Sequence, residues 1–584
     1  MKYLFSAVLV LIGALALVGC AKHPLTPVTP WADVANDSLS FFTVSADPGD
    51  LKVCYVFDWG DGDTTTTGFA KSGETTWCAH EFTGAVVRYI KVKARNEKGV
   101  ESGWSPSLRF HSSQPPQVVD TIVGRKRWAV DRWYHASVRV TDPDADSVAV
   151  RFVWGDLPAA GWSAFVPSGS VVTDSCKWSV IGPHTVRVVL KDKGCSVSCP
   201  GEVKTVSVSK MAVVWDTYEE ELYCAGSPTL GSVDGEPVLY STAAFCYTLD
   251  GRLVWSTPMD ASDYGASLSA DGARLYFTDY SSGLVCLDSR TGRLKWSIDS
   301  CGVDCTPAVG PDGAVYVVSC PMCINELQRI RDYGDSAAVE WTLPLGDWGQ
   351  VDNGAVVGRD GMVYAVGYDA LAECSFLVAV DSTGAVLWQD SARIKVGGTP
   401  VIDSRDRIIV PDWSGGLFCF NPDGSLAWSA STSELWANCT AVGWDDEVIV
   451  IGDDDRIRCF DSDGRERWTS ALSIDSYSNT PCVVQDSSII VADPSGYTCC
   501  IGSTGQTLWE FSVWDSLGYD KRRARRLDGE GYTSPVIGPN GDLYVATGDA
   551  LVCIAHGGLR MANTAWPTYN HDNAHSGWAG RQQR

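Results

Sequence analysis

Histidine and methionine are scarce in this 584-residue chain, with 8 and 6 copies, and 46 Lys and Arg face 71 Asp and Glu. The formal net charge of −25 excludes a protein that neutralises nucleic-acid phosphates, which needs an excess of basic side chains. No H-E-x-x-H, no G-x-S-x-G and no phosphate-binding loop occurs, so neither metal-dependent nor nucleophilic hydrolysis has a visible constellation. What is plentiful points elsewhere. Fifty-seven Gly, 24 Trp and 10% aromatics suit many short strands joined by tight turns, which predicts an all-β chain. At this length about three or four units are expected.

The chain opens "MKYLFSAVLVLIGALALVGCAKHP": Lys2, an apolar run from Tyr3 to Val18, and Leu17-Val18-Gly19-Cys20 where a cleavage site would stand. The alternative, a transmembrane anchor, calls for a longer apolar run. The tetrapeptide resembles the lipobox of bacterial lipoproteins. That resemblance implies a signal peptide over residues 1–20 and an acylated Cys20 as the membrane anchor. It also implies, from Ala21 rather than Asp, the outer membrane, periplasmic or surface-facing. Residues 21–30, "AKHPLTPVTP", read as a Pro-rich tether that lifts the folded part off the membrane.

From residue 31 to 113, alternating segments such as "LKVCYVFDWGDG" and "VRYIKVKARNEKGVES" read as half-buried strands with Gly and Asp turns. Trp59-Gly60-Asp61-Gly62 and "HEFTG" from His80 resemble PKD-type β-sandwiches, and "ESGWSPSL" resembles fibronectin type III. Cys54 and Cys78, in neighbouring segments, are a possible disulfide. Residues 114–210 repeat the pattern more loosely, with Trp154-Gly155-Asp156 in the equivalent place, and read as a second immunoglobulin-like sandwich. Asp142, Asp144 and Asp146 alternate as in a calcium loop, but Ser147 and Val153 stand where an EF-hand needs Gly and Glu, so a polar turn is expected.

Residues 211–584 consist of near-copies about forty residues apart, the period of propeller blades. Each copy has a Ser/Thr-Pro opening or its equivalent, near Ser227, Ser267, Thr306, Ala355, Thr399, Thr440, Thr480 and Ser534, then strands and turns such as "DSRTG", "DSTG" and "NPDG". In "GLVCLDSRTGRLKWS", Asp288 opens the turn, Gly292 closes it in the left-handed conformation, and Trp296 ends the outer strand. Trp255, Trp341, Trp388, Trp428, Trp468 and Trp509 occupy the same column, placed to wedge one blade against the next. Eight blades are predicted, with seven as the alternative. "MAVVWDT" around Trp215 is expected to complete the last copy, which has Met561 and Ala562 in place of Trp.

These copies resemble the PQQ-like repeat propellers, and among them the BamB-type assembly lipoproteins of the outer membrane. The resemblance implies a non-catalytic envelope scaffold with protein partners. The alternatives are a cell-surface protein that recognises protein or glycan, and a PQQ-dependent quinoprotein oxidoreductase. Of the quinoprotein marks only the vicinal pair Cys499-Cys500 is present, and an Asp repeated in every turn is a turn residue rather than a catalytic base. Neither cofactor nor metal is therefore expected, and Cys301, Cys305, Cys320 and Cys323 read as packed thiols or disulfides. "WPTYNHDNAHSG" from Trp566 resembles a segment often attached to such propellers. Two inserts are candidate contact loops: residues 321–340, and a basic run of Lys521, Arg522, Arg523, Arg525 and Arg526 in an acidic molecule.

Overall fold

The computed structural model describes residues 23–579 except 36–37, 83–85, 112–114, 159, 193–196, 199–202, 218–225, 243, 258, 260–264, 300–304, 320–323, 348–353, 370–372, 391–393, 395–397, 413, 433–434, 453, 475–479, 518–533, 548–549, 569–570 and 573–574. The chain is all-β and divides into two compact units, one running to residue 208 without 127–129, the other holding those three residues and 209–584.

In the first unit, Trp31–Ala35, Ser38–Thr43 and Thr76–Ala79 form one sheet, and Thr64–Thr66, Val53–Asp58, Val87–Asn96 and Leu108–His111 another. Phe41, Val53, Tyr55, Phe57, Trp59, Ile90 and Val92 fill the core between them. Residues 114–208 repeat this frame. Val148 pairs with Asp192 as Val53 pairs with Asn96, and Trp154 stacks on Phe152 at 5.2 Å as Trp59 stacks on Phe57 at 5.1 Å. Asp142 behaves as the expected polar turn, its Oδ1 accepting the N–H groups of Asp144 and Asp146. Two expectations are corrected here. The Pro-rich stretch is no free tether, because Leu25 and Val28 donate backbone hydrogen bonds to Ala46 and Val44, and Pro24, Pro27 and Pro30 are buried. Cys54 and Cys78 are free thiols: alternation along Val53–Asp58 turns Val53, Tyr55 and Phe57 into the core and Cys54 out of it, whereas Cys78 packs against the core.

In the second unit the described strands make eight four-stranded antiparallel groups, the third and fourth joined by one parallel pairing of Gly346 with Tyr368. A typical blade is Ser267–Leu268, Arg274–Asp279, Gly283–Asp288 and Leu294–Ile298. The eighth has only Val536–Ile537, Leu543–Ala546 and Leu551–Ala555 from the chain's end, and Ala212–Asp216 supplies its fourth strand. The first and last segments of the unit thus share one sheet, which joins the two ends of the ring. The insert expected at 321–340 is mostly a long hairpin, Ile324–Asp332 with Ala337–Asp347, which forms the outer half of the third blade. Its strands lengthen the sheet instead of leaving it.

The tryptophan of each fourth strand joins that blade to the next. Trp215, Trp255, Trp341, Trp388 and Trp428 donate Nε1–H to backbone carbonyls of Leu249, Ser289, Ser382, Pro422 and Ser462 in the following blade's turn, at 2.8 to 3.1 Å. Trp296 instead donates to the Asp332 carboxylate at 3.1 Å, because the third blade has its long hairpin there. Six of the eight indole faces, those of Trp215, Trp255, Trp341, Trp388, Trp428 and Trp468, rest on turn glycines. A Cβ on Gly424 would lie 2.8 Å from Trp388 Cδ2, and Gly464 is covered in the same way by Trp428. Gly464 also has φ of +78°, so two independent reasons exclude a side chain. A β-bulge aims each tryptophan: Trp296 pairs with Cys286 but Leu294 with Leu287, leaving Lys295 extra, and the same skip recurs in all eight blades.

Gly464→Ala is expected to cost about 2 to 4 kcal/mol from backbone strain and overlap with the indole. Trp428→Ala is expected to cost about 3 kcal/mol. Because both act at one contact, the double variant should lose less than the two losses added, by about 1 kcal/mol or more, in guanidinium unfolding. Additivity would show that the glycine and the indole do not depend on each other.

Candidate functional site: the axial face and its tail

The first strands of the blades converge, and Ser and Thr hydroxyls on them tie several blades to their neighbours. Thr306 Oγ1 accepts the N–H of Gly265 at 3.0 Å, Thr399 Oγ1 that of Gly354 at 3.2 Å, and Ser227 Oγ that of Ser534 at 2.8 Å, across the seam between the last blade and the first. The Ser/Thr-Pro signature is visible in the sequence, but its hydrogen-bonding role between blades is not.

Residues 560–579 lie across this converging surface. Their backbone bonds Val483 and Gln485 of the seventh blade, Val442 of the sixth, Val309 of the third and Val357 of the fourth, at 2.7 to 2.8 Å. Side chains extend the contact: Ser267 Oγ donates to the His575 carbonyl at 2.6 Å, Thr229 Oγ1 lies 3.2 Å from His575 Nδ1, and Ser534 Oγ lies 2.9 Å from Thr568 Oγ1. A stretch of twenty residues therefore reaches seven of the eight blades. The segment is polar yet sealed, with Thr568, His575 and Ser576 at 0% exposure. Burial pushes the His575 imidazole down to about 4, so the ring is neutral and packs as a structural group. Ser576 N–H and Oγ–H both reach the Asp572 carboxylate, at 3.0 and 3.2 Å, which closes a local turn. The described residues of the "WPTYNHDNAHSG" motif thus form a buried strap over the inner strands.

The repeat residues are engaged in structure. Asp288 Oδ1 accepts the Thr291 N–H and hydroxyl at 3.0 and 2.8 Å, and in the equivalent turn bonds from Thr383 and Ala385 hold Asp381 below the usual carboxylate range. The cysteines occupy a column that the register explains. Cys246, Cys286, Cys419, Cys459, Cys500 and Cys553 stand directly opposite Trp255, Trp296, Trp428, Trp468, Trp509 and Trp215. They are buried thiols in no disulfide, and burial raises Cys246, Cys419 and Cys459 to about 12, which removes the reactive thiolate. Cys499 and Cys500 face opposite sides of their strand, Cys499 into the core shared with the sixth blade and Cys500 into the core shared with the eighth. They form no vicinal disulfide. Trp468 covers Gly505 as its counterparts cover theirs, and Trp509 stands 6.0 Å from the His556 ring of the last blade.

Cys20, the basic run Lys521 to Arg526, and Cys301, Cys320 and Cys323 lie outside the described residues. Among the described residues one group has metal-ligand spacing: Asp61, Asp63 and His80, with ligand atoms within 4.8 Å. Two of the three are already bonded, His80 Nε2 lying 2.7 Å from Asp61 Oδ2 while the ring stacks on Trp59 at 4.5 Å. The propeller therefore offers a rigid ring with one surface strapped, and its recurring polar groups are committed to turns and joints.

None of the curated proteins matches the chain. Among solved structures, the crystal structure of BamB from Moraxella catarrhalis is similar at 17% identity and a TM-score of 0.44, covering 59% of this chain and 99% of that one. The Dos1 propeller is similar at 10% identity and a TM-score of 0.40, covering 60% and 96%. A PKD domain of an M14-like peptidase from a Thermoplasmatales archaeon is 26% identical with a TM-score of 0.15, covering 17% of this chain and 97% of that one. Residues 242–344, 306–435 and 375–566 match the family described as outer membrane protein assembly factor BamB, together more than half of the chain. By that match and the repeated turn-and-tryptophan joint beneath it, the chain belongs to the PQQ-like repeat family of the outer membrane protein assembly factor BamB.

Proposed function

We propose that this protein is a lipid-anchored component of the bacterial cell envelope, whose propeller binds other envelope proteins without catalysis and serves outer-membrane protein assembly. The observation that carries this reading is the family match over residues 242–566. Three features of the chain support it. The Asp, Gly and Trp of the PQQ-like motif are used as turns and joints, the vicinal cysteines point apart, and the inner strands are covered by the chain's own tail. Recognition then falls to parts that do not repeat, and loops on a rigid scaffold commonly carry it. Lys521, Arg522, Arg523, Arg525 and Arg526 concentrate positive charge in a chain of net charge −25 and suit an acidic partner.

Cys20→Ala is expected to abolish acylation and move the protein from the membrane to the soluble fraction, read by fractionation and fatty-acid labelling. Retention of the label would remove the anchor from the proposal. Crosslinking in the intact envelope is expected to capture a component of the outer-membrane assembly machinery. Replacing the five basic residues of 521–526 by Gln should cut that capture about tenfold or more at low salt, by loss of charge steering, with an unchanged unfolding midpoint. Capture of unrelated proteins alone would sink the assembly role.

A further inference from the structure

The outer face of the first sandwich carries a row of aromatics that its own duplicate lacks. Trp31 pairs with Phe42 and Phe42 with Trp77, one residue from each of three adjacent strands. Trp31 is 39% and Trp77 46% exposed, and the rings of Trp31 and Phe42 lie 5.9 Å apart at 17°. The frame of the second sandwich fixes the equivalent row. Asp47 and Asp142 stand five residues after Phe42 and Ser137, and each binds a serine in the same way, Ser72 and Ser168 Oγ accepting the Asp N–H at 3.0 Å. The row equivalent to Trp31, Phe42 and Trp77 is then Val123, Ser137 and Thr173, which pair in the same order. One fold stands with aliphatic and hydroxyl side chains in this row, so the fold does not require the aromatics of the first copy.

We propose that Trp31, Phe42 and Trp77 form a stacking platform for a neutral polysaccharide. Area and charge select this occupant. Aromatic side chains bury about 150 to 250 Å² each, and these are already half covered, so the row offers on the order of 300 Å². A protein partner needs about 800 Å² on each side. None of the three side chains is charged, and the net charge of −25 opposes an anionic bilayer or an acidic polymer. A neutral sugar chain meets neither obstacle. The C–H face of a pyranose ring carries slight positive charge and lies against the negative face of an aromatic ring, while its hydroxyls stay in water. The row crosses three adjacent strands spaced about 4.8 Å apart, so its side chains follow one another along a line of sugar rings. The platform lies before residue 242 and is independent of the assembly role assigned to the propeller.

The test uses the detergent-solubilised full-length protein and two insoluble neutral probes, chitin and cellulose. The wild type is expected to be depleted from solution by at least one of them. Trp31→Ala with Trp77→Ala should weaken that retention about tenfold or more, the loss expected when aromatic stacking is removed. Trp31→Phe with Trp77→Phe keeps the rings and should retain most of it. Trp133→Ala, which removes a 60%-exposed indole from the equivalent sheet of the second sandwich, should change nothing. The proposal is overturned if no probe retains the wild type, if the double alanine variant binds as well as the wild type, or if Trp133→Ala loses as much. Retention of the Cys20→Ala protein on phosphatidylglycerol vesicles, without retention of the wild type on any polysaccharide, would overturn it in favour of a lipid surface. Near-UV circular dichroism and the unfolding midpoint separate lost binding from lost fold.

Discussion

The face of an indole resting on a glycine of the next blade is the contact on which the propeller depends. It requires several things at once. The receiving residue must lack a Cβ and hold a positive φ, as Gly464 does under Trp428. The donating strand must carry a bulge so that its tryptophan leaves the plane of its own sheet and meets the neighbour. The motif therefore describes an interface between two consecutive copies, with the glycine written in one and the tryptophan in the other. In repeat proteins the interface between neighbours carries much of the stability of each unit, which is why the joint recurs while the strands around it vary.

That contact also explains the cysteines. In a chain expected to be exported, 21 cysteines permit a disulfide framework. Here the register sets most of the propeller's described thiols opposite the tryptophans, one to a blade and buried, where a small polarisable side chain fills the space beneath the indole. The third and fourth blades place Arg329 and Ala379 at this position. The third blade uses the change: Arg329 reaches the Tyr316 hydroxyl at 3.0 Å within the long hairpin's ion-pair network.

The parts that do not repeat do what identical copies cannot. Copies of one unit carry no information about where a ring begins, and this chain marks the seam twice, with the strand around Trp215 and with the Ser534–Ser227 hydrogen bond. The tail then crosses seven blades and covers their inner strands with buried polar groups that find partners on the first strands. In the sandwich unit the same reasoning applies to a pair. Two copies share a frame down to the Asp–Ser bond, and they differ on an exposed row where packing makes no demand.

The sequence alone determined the features whose cause is local. A turn from Asp288 to Gly292 and a tryptophan at a set distance are readable because turn chemistry and strand alternation act over a few residues. The supply of a strand by residues 212–216 was also readable, since the last copy visibly lacked its own tryptophan. Tertiary structure alone decided where the irregular segments go. The stretch from Pro24 to Pro30 reads as a free linker by composition, yet its available N–H groups find the carbonyls of Val44 and Ala46. Cys54 and Cys78 are close in predicted order but lie in different sheets, and only Cys78 packs against the core between them. The tail has no repeat period to place it, and its position on the inner strands follows from backbone groups of the blades that it pairs with.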